Sequence, residues 1–450
     1  MIIDSAIQPA ALKAPVDRLF SLSAEKIHSL EKSWTPGSSA PVFTAAGRYT
    51  SRGWTEWTQG FQFGASILQF DATGDRAFLE IGRTRTVDLM ASHVTHIGVH
   101  DHGFNNVSTY GNLLRLMNEG RIEDDAWERR FYQMALKCSG AVQAARWSNT
   151  RDGGYIYSFN GPHSLFIDTI RTIRALAVAH QLGHALLGEN DRKISLLDRL
   201  LQHAHATSRY SVFYGEGRDV YDLRGRAVHE CVFNMNDGNY RCPSSQQGYS
   251  PFSTWTRGQA WAILGFPEEL EFLETVTDAE LEPHGGRAQV VAWMRKAAEA
   301  TCDFYIDQGT ASDGIPYWDT GAPNLHKLAD WRSRAAEPFN DHEPVDSSAA
   351  AIAAQGLLRL GRYLKNERYW QAGLTVARSL FAEPYLSTDS NHQGLLLHSV
   401  YHRPNGWDAV PPGAKVPAGE SSMWGDYHAR ELALYLKRII EEGKYLKFFL

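Results

Sequence analysis

Apolar residues recur at i, i+3 and i+4 along most of the chain, the spacing that lines one face of a helix. The pattern predicts helices over 57–70, 75–92, 126–146, 165–181, 190–205, 254–264, 288–306, 347–365, 366–381 and 424–441. Strand-like character is confined to short pieces, Tyr210–Tyr214 and His229–Asn234. Three turns, Thr73-Gly74-Asp75-Arg76, Glu189-Asn190-Asp191-Arg192 and Lys365-Asn366-Glu367-Arg368, each end one predicted helix and open the next. Their acidic positions 75, 191 and 367 are 116 and 176 residues apart, about two and three multiples of a 58-residue unit. Such a unit fits one helical hairpin with its loop. Six of them need about 350 residues, so the chain has room for a closed double ring of hairpins with insertions left over.

Helix composition favours that ring. The run from Asp346 to Gly356 is built of small residues on nearly every face, which suits a helix packed on all sides. No linker rich in Pro, Ser or Gly divides the chain. The expectation is all-α: a single (α/α)6 barrel over residues 1–450 with short strands in its loops. Residues 1–45 are read as an N-terminal extension, and 105–130 and 322–344 as inserted segments at the mouth.

Composition narrows the class. Hydrophobic residues make up 43% and charged residues 21% of 450, a globular balance that excludes disorder. The 45 basic and 51 acidic residues leave a net charge of −6 without a basic block, so no nucleic-acid partner is expected. No apolar run approaches the roughly 18 residues of a membrane span, so no membrane partner is expected either. The first residues lack a basic stretch followed by an apolar one, and a cytoplasmic location is expected. Cys138, Cys231, Cys242 and Cys302 include no C-x-x-C pair and read as reduced thiols. Aromatic residues reach 12%; rings dominate cores, but they also pack on the apolar faces of sugars, which favours a carbohydrate site.

Four segments are denser in polar groups, glycines and aromatics than folding requires. They are His100-Asp101-His102-Gly103-Phe104, Phe166-Ile167-Asp168-Thr169, the strip from His229 through Gln247-Gly248-Tyr249-Ser250 to Trp261, and Pro316-Tyr317-Trp318-Asp319 with Asp346-Ser347-Ser348. Asp101 is either a turn aspartate or a functional carboxyl. Asp168 near a helix start either caps free N–H groups or does chemistry. Asp346 before two serines reads as an N-cap. Ser253, Arg257 and Trp261 share one helix face at spacing four. There Arg257 either holds a substrate carboxylate in two-point contact or pairs with an internal aspartate. His93, His96, His100 and His102 lie close together, but no H-e-x-x-H type ligand spacing occurs. Neither a metal nor a cofactor is expected, and no G-x-S-x-G elbow is present.

At these segments the chain resembles glycoside hydrolase family 88, the unsaturated glucuronyl hydrolases. Trp255-Thr-Arg257-Gly258-Gln259-Ala-Trp261-Ala-Ile-Leu-Gly265-Phe266 and Gln247-Gly248-Tyr249-Ser250 carry the resemblance. Glu56-Trp57-Thr58, Asp101-x-Gly103-Phe104, Ile167-Asp168-Thr169, Pro316–Asp319, the Asp346 run and Gly425-Asp426-Tyr427 support it over residues 54–435. The resemblance implies an (α/α)6 barrel, Asp168 as general acid/base and Asp101 assisting it. It also implies Trp57, Phe104, His229, Gln247, Arg257 and Trp261 as substrate-binding residues. The implied substrate is an oligosaccharide with an unsaturated uronic acid at its non-reducing end, released by polysaccharide lyases. Three features depart from the family pattern: His102, the 27 positions from Asp319 to Asp346, and the length of 105–130. The related family 105 on unsaturated rhamnogalacturonyl substrates, a sugar isomerase, and a catalytically silent sugar-binding barrel are the competing readings.

Overall fold

The computed structural model describes residues 1–35 and 39–449, so positions 36–38 of the expected N-terminal extension lie outside the described residues. The helices form two concentric rings. The inner ring runs through Gln59–Thr73, Gly103–Gly111 continued by Asn112–Asn118, Thr169–Thr172 continued by Arg174–Gln181, Thr256–Leu273, Ser347–Leu364 and Met423–Glu442. Each packs on its two ring neighbours, and Met423–Glu442 closes the circle against Gln59–Thr73. Outside them lie Lys13–Ser33, Arg76–Leu89, Ala126–Ala145, Leu196–Ala206, Gly286–Phe304 and Glu367–Leu380. The molecule is an (α/α)6 barrel.

The division follows from the sequence. Inner helices are covered on both sides, so they are buried all round. Every residue of Thr256–Leu273 is buried, as is every residue from Ser347 to Gly361. Outer helices such as Arg76–Leu89 bury one stripe, Phe78, Leu79, Gly82 and Thr86, and leave the other face polar. Asp75, Asp125, Ser195, Asn366, Asp346 and Ser422 each cap a helix start through a side-chain oxygen, which satisfies N–H groups that have no partner in the helix.

Inner neighbours meet backbone to backbone where glycine removes the side chain. A Cβ on Gly356 would lie 2.0 Å from the Ile263 carbonyl oxygen. One on Gly103 would lie 2.1 Å from the Thr172 oxygen. These contacts set the tightness of the ring.

Several expectations give way. Residues 1–45 include the helix Lys13–Ser33, which packs on Met423–Glu442 and Gln59–Thr73 and supplies the outer ring's first member rather than an extension. Segment 105–130 is not an inserted loop. Its first half is inner-ring helix, a π-helix over Gly103–Gly111 with every residue buried. Its Asn, Ser and Thr residues give no amphipathic period, so the pattern hid it. Segment 322–344 packs around Trp331, whose ring lies edge-on to Tyr317 at 5.4 Å. The strand expected at Tyr210–Tyr214 is instead the end of the helical turn Thr207–Ser211 followed by a single bridge, Val212 to Ala227. The helix expected over 165–181 is preceded by the strand Ser164–Phe166. The turn 189–192 joins two strands, Ala185–Leu187 and Lys193–Ser195, with Asn190 and Asp191 at φ 57° and 58°, the geometry of a tight hairpin. The other two turns do connect helices, yet inner helices start at unequal intervals, so no 58-residue period exists.

Replacing Gly356 by Ala should destabilise the fold by about 1–3 kcal/mol, because a backbone neighbour must move to admit the methyl group. Gly53→Ala, which meets nothing within 4 Å, should leave the denaturation midpoint unchanged. Equal midpoints for both variants would contradict the close-packed ring.

Candidate active site

The starts of the inner helices gather at one end of the barrel around a cavity of about 410 Å³. Trp57 sits just before Gln59–Thr73, Asp101 just before Gly103, and Asp168 at the N-cap position of Thr169–Thr172. Arg257 lies in the first turn of Thr256–Leu273. Of the residues singled out in the sequence, Trp57, Asp101, Phe104, Asp168, Gln247, Arg257 and Trp261 all line this cavity. No residue of 105–130 or 322–344 does.

A three-stranded antiparallel sheet sets Asp168. Strand Glu230–Phe233 pairs with Ser164–Phe166 on one side and Tyr240–Ser244 on the other. Phe166 is opposite Glu230, and the Ile167 N–H donates to the His229 carbonyl at 2.9 Å. The sheet thus delivers Asp168 and His229 side by side. Asp168 does not cap with its carboxylate. Instead Oδ1 accepts from His100 Nε2 at 3.1 Å. Asp101 Oδ1 is 3.7 Å from the same nitrogen, and both carboxyls are buried. One imidazole edge therefore faces two carboxyls, with Phe166 edge-on to the ring and Phe159 stacked beside it.

The surroundings drive the carboxyls apart. Burial pushes Asp101 up to about 6, helped by the negative charges of Asp168 and Glu56 against the pull of His100. Burial opposes ionisation of Asp168 too, but His100, His229 and Arg257 outweigh it and hold that carboxyl below its usual range. His100 is raised: burial works against its charge, and the two aspartates prevail. Below about pH 6 the proton rests on Asp101, and Asp168 is the anion.

His229 is placed differently from the expectation of direct substrate contact. It stands behind the cavity wall, between Phe166 and Trp255. Its Nδ1 accepts from the Gln246 and Gln247 backbone N–H groups, so its proton is on Nε2. Burial holds it neutral, at about 4.

Arg257 lines the cavity and is also paired within the protein. Its guanidinium is in the wall, but its fork is filled by the protein. Nη1 donates to Asp346 Oδ2 at 3.0 Å and to the Val400 carbonyl; Nη2 donates to Gln247 Oε1 at 3.1 Å and to the Tyr401 carbonyl at 2.8 Å. The plane lies between the rings of Trp255 and Trp424, 4.7 and 4.8 Å from their centroids. The internal-aspartate alternative is the one the structure contains. Asp346 caps its own helix and pairs with Arg257 at once. Ser253 precedes the helix and bonds to Ser250, so it is not part of the Arg257 face.

Aromatic rings make the rest of the wall. Trp57 stacks on Trp424 at 4.9 Å, and Phe104 meets Trp261 at 4.7 Å. His100, Trp54, Glu56, Phe159, Tyr401, His402 and Trp407 also line the cavity and were missed. The signal for His100 was its place beside Asp101, obscured by reading it with its histidine neighbours. Those neighbours have separate partners: His102 with Ser139 and the His96 carbonyl, His93 with Asn105.

A helical double barrel with two buried carboxyls in an aromatic-walled pocket is built as a glycoside hydrolase is built. The chain belongs to glycoside hydrolase family 88: residues 39–295 match the Glycosyl Hydrolase Family 88 model. It is 25% identical over 380 residues to the unsaturated glucuronyl hydrolase of Formosa agariphila, covering 84% of this chain and 78% of that one. It is 25% identical over 414 residues to the unsaturated glucuronyl hydrolase of Bacillus sp. strain GL1, covering 88% and 90%. The crystal structure of an unsaturated glucuronyl hydrolase specific for heparin shares the fold, with a TM-score of 0.73, 20% identity and coverage of 96% of this chain and 99% of that one.

Arg257→Lys should lower stability as well as activity. Lysine keeps the charge but cannot serve Asp346, Gln247 and two carbonyls together, and each buried acceptor left bare costs about 1–3 kcal/mol. A variant with unchanged unfolding free energy and a raised KM alone would return Arg257 to direct substrate binding.

Proposed function

We propose that this protein removes the 4-deoxy-4,5-unsaturated glucuronic acid from the non-reducing end of oligosaccharides left by polysaccharide lyases. The observation that carries the proposal is the buried Asp101–His100–Asp168 cluster in an aromatic pocket, within a family whose relatives are named unsaturated glucuronyl hydrolase and unsaturated chondroitin disaccharide hydrolase. Four unpaired cysteines suit a reducing compartment, and a cytoplasmic site of action is part of the proposal.

The C4=C5 bond of such a sugar is a vinyl ether, which accepts a proton at C4. A bound uronate brings an anion beside Asp168 and displaces water, and both raise a carboxyl's pKa. The cluster's proton is then drawn from Asp101 towards Asp168, which delivers it to C4. Positive charge develops at C5 and the ring oxygen. Water adds at C5 and gives its proton to the Asp168 carboxylate. The resulting hemiketal opens and the neighbouring sugar leaves. Trp57, Phe104 and Trp261 pack against the ring, Gln247 is available to its hydroxyls, and the converging helix starts favour its carboxylate. Arg257 acts on Asp168 from within the wall and His229 from behind it. Asp101 and Asp168 are the catalytic residues.

Asp168→Asn should fold normally and lose about 10²–10⁴-fold in turnover, the range of general acid–base catalysis. Turnover in H₂¹⁸O with immediate borohydride trapping should place label at C5, and a saturated glucuronide should remain intact. Label at the anomeric carbon, or cleavage of the saturated analogue, would overturn the hydration route.

The cluster must hold a proton to start, so the rate should fall as pH rises past about 6, where Asp101 releases it. Glu56 helps to keep Asp101 protonated. Glu56→Gln should lower the Asp101 pKa and shift the alkaline limb of kcat/KM to lower pH. An unmoved limb would separate Asp101 from the rate-limiting proton.

A further inference from the structure

The outer-ring helix Ala126–Ala145 carries an apolar stripe that the described residues leave largely exposed. Trp127 is 75% exposed, Phe131 38% and Met134 62%. Their spacing of four and three puts them on one helix face. Val87, on the outer helix Arg76–Leu89 whose Arg83 reaches Glu128, is also 41% exposed. Single exposed apolar residues are ordinary, whereas a contiguous stripe with a Trp at its head marks a contact surface.

We propose that this face pairs with the same face of a second copy, the two helices antiparallel about a twofold axis. The order of residues carries the choice of partner. An axis between Arg130 and Phe131 sets Trp127 opposite Met134 of the second copy, and Arg130 opposite its Phe131. Both pairs are favourable: a thioether on an aromatic ring and a guanidinium over one. The same axis sets Asp124 opposite Lys137. Lys137 has no ion-pair partner among the described residues, and Asp124 uses one oxygen for Arg129 and keeps the other. The acidic run Glu123-Asp124-Asp125 lies at the start of the stripe, and Lys137 towards its end. A parallel arrangement would oppose like with like; the antiparallel one matches acid to base twice over. This self-complementarity is what an isologous interface requires.

The stripe is short, about 10 Å from Trp127 to Met134 at 1.5 Å per residue. An interface of that length is at the small end of specific contacts, so the dimer is a weak one that forms in the micromolar range.

The test is sedimentation velocity on the full chain from about 1 to about 200 µM, spanning the micromolar range of weak complexes. The mass should rise with concentration from 50.4 kDa towards twice that value. Met134→Glu should hold it at the monomer with the thermal midpoint unchanged. Asp124→Lys and Lys137→Glu should each weaken association at least several-fold, and the two together should restore it. The restoration is a result that misfolding cannot imitate. A monomer at every concentration, a dimer indifferent to Met134→Glu, or a double charge swap no better than either single change would overturn the proposal.

Discussion

Two carboxyl groups and an imidazole are buried side by side, and they cannot all take their ordinary charges. His100 Nε2 stands 3.1 Å from Asp168 and 3.7 Å from Asp101. One positive ring can neutralise one carboxylate well; the second must keep a proton, because an unpaired buried anion is too costly. The nearer carboxylate, which His229 and Arg257 also favour, becomes the anion. Asp101, which also feels Asp168 and Glu56, becomes the acid. The asymmetry that acid–base chemistry needs is already present in the empty pocket.

The frame keeps that arrangement in place. Glycines bring the inner helices into backbone contact, so the helix starts converge closely enough to enclose a cavity. The Arg257–Asp346 pair then ties two neighbouring inner helices to the segment at Val400 and Tyr401. A buried ion pair of this kind offsets its desolvation only when its remaining donors and acceptors are met, and here both terminal nitrogens are used twice. Its contribution is position: it fixes the cavity wall and adds a positive charge beside Asp168.

Much of this was legible in the sequence, for identifiable reasons. Long helices with one apolar stripe announced themselves, and the small-residue run after Asp346 marked an inner helix. Asp101, Asp168, Trp57, Phe104, Gln247 and Trp261 stood out as chemistry-bearing residues, and they meet at one cavity. The inner helix at Gly103–Asn118 escaped because it is buried on all sides yet rich in Asn, Ser and Thr, so no period shows. Arg257 was recognised as unusual, but spacing could not say which acceptors would fill its fork; they come from Val400, Tyr401 and Asp346, far along the chain. Trp54, Phe159, Tyr401 and Trp407 lie in irregular segments whose path only tertiary packing decides. His100 was in view and left without a role, since a histidine's partner is set in space rather than by its neighbours in sequence.

The central claim is the division of protons between the two aspartates, and their carboxyl carbons report it directly. With ¹³C-labelled aspartate, and Asp101→Asn and Asp168→Asn for assignment, carbon NMR across pH 3–8 follows each group. The account predicts that the Asp101 signal titrates near 6, while the Asp168 signal stays that of a carboxylate to below the usual carboxylate range. Asp168 titrating above Asp101 in the ligand-free protein, or both titrating at ordinary carboxylate values, would contradict it.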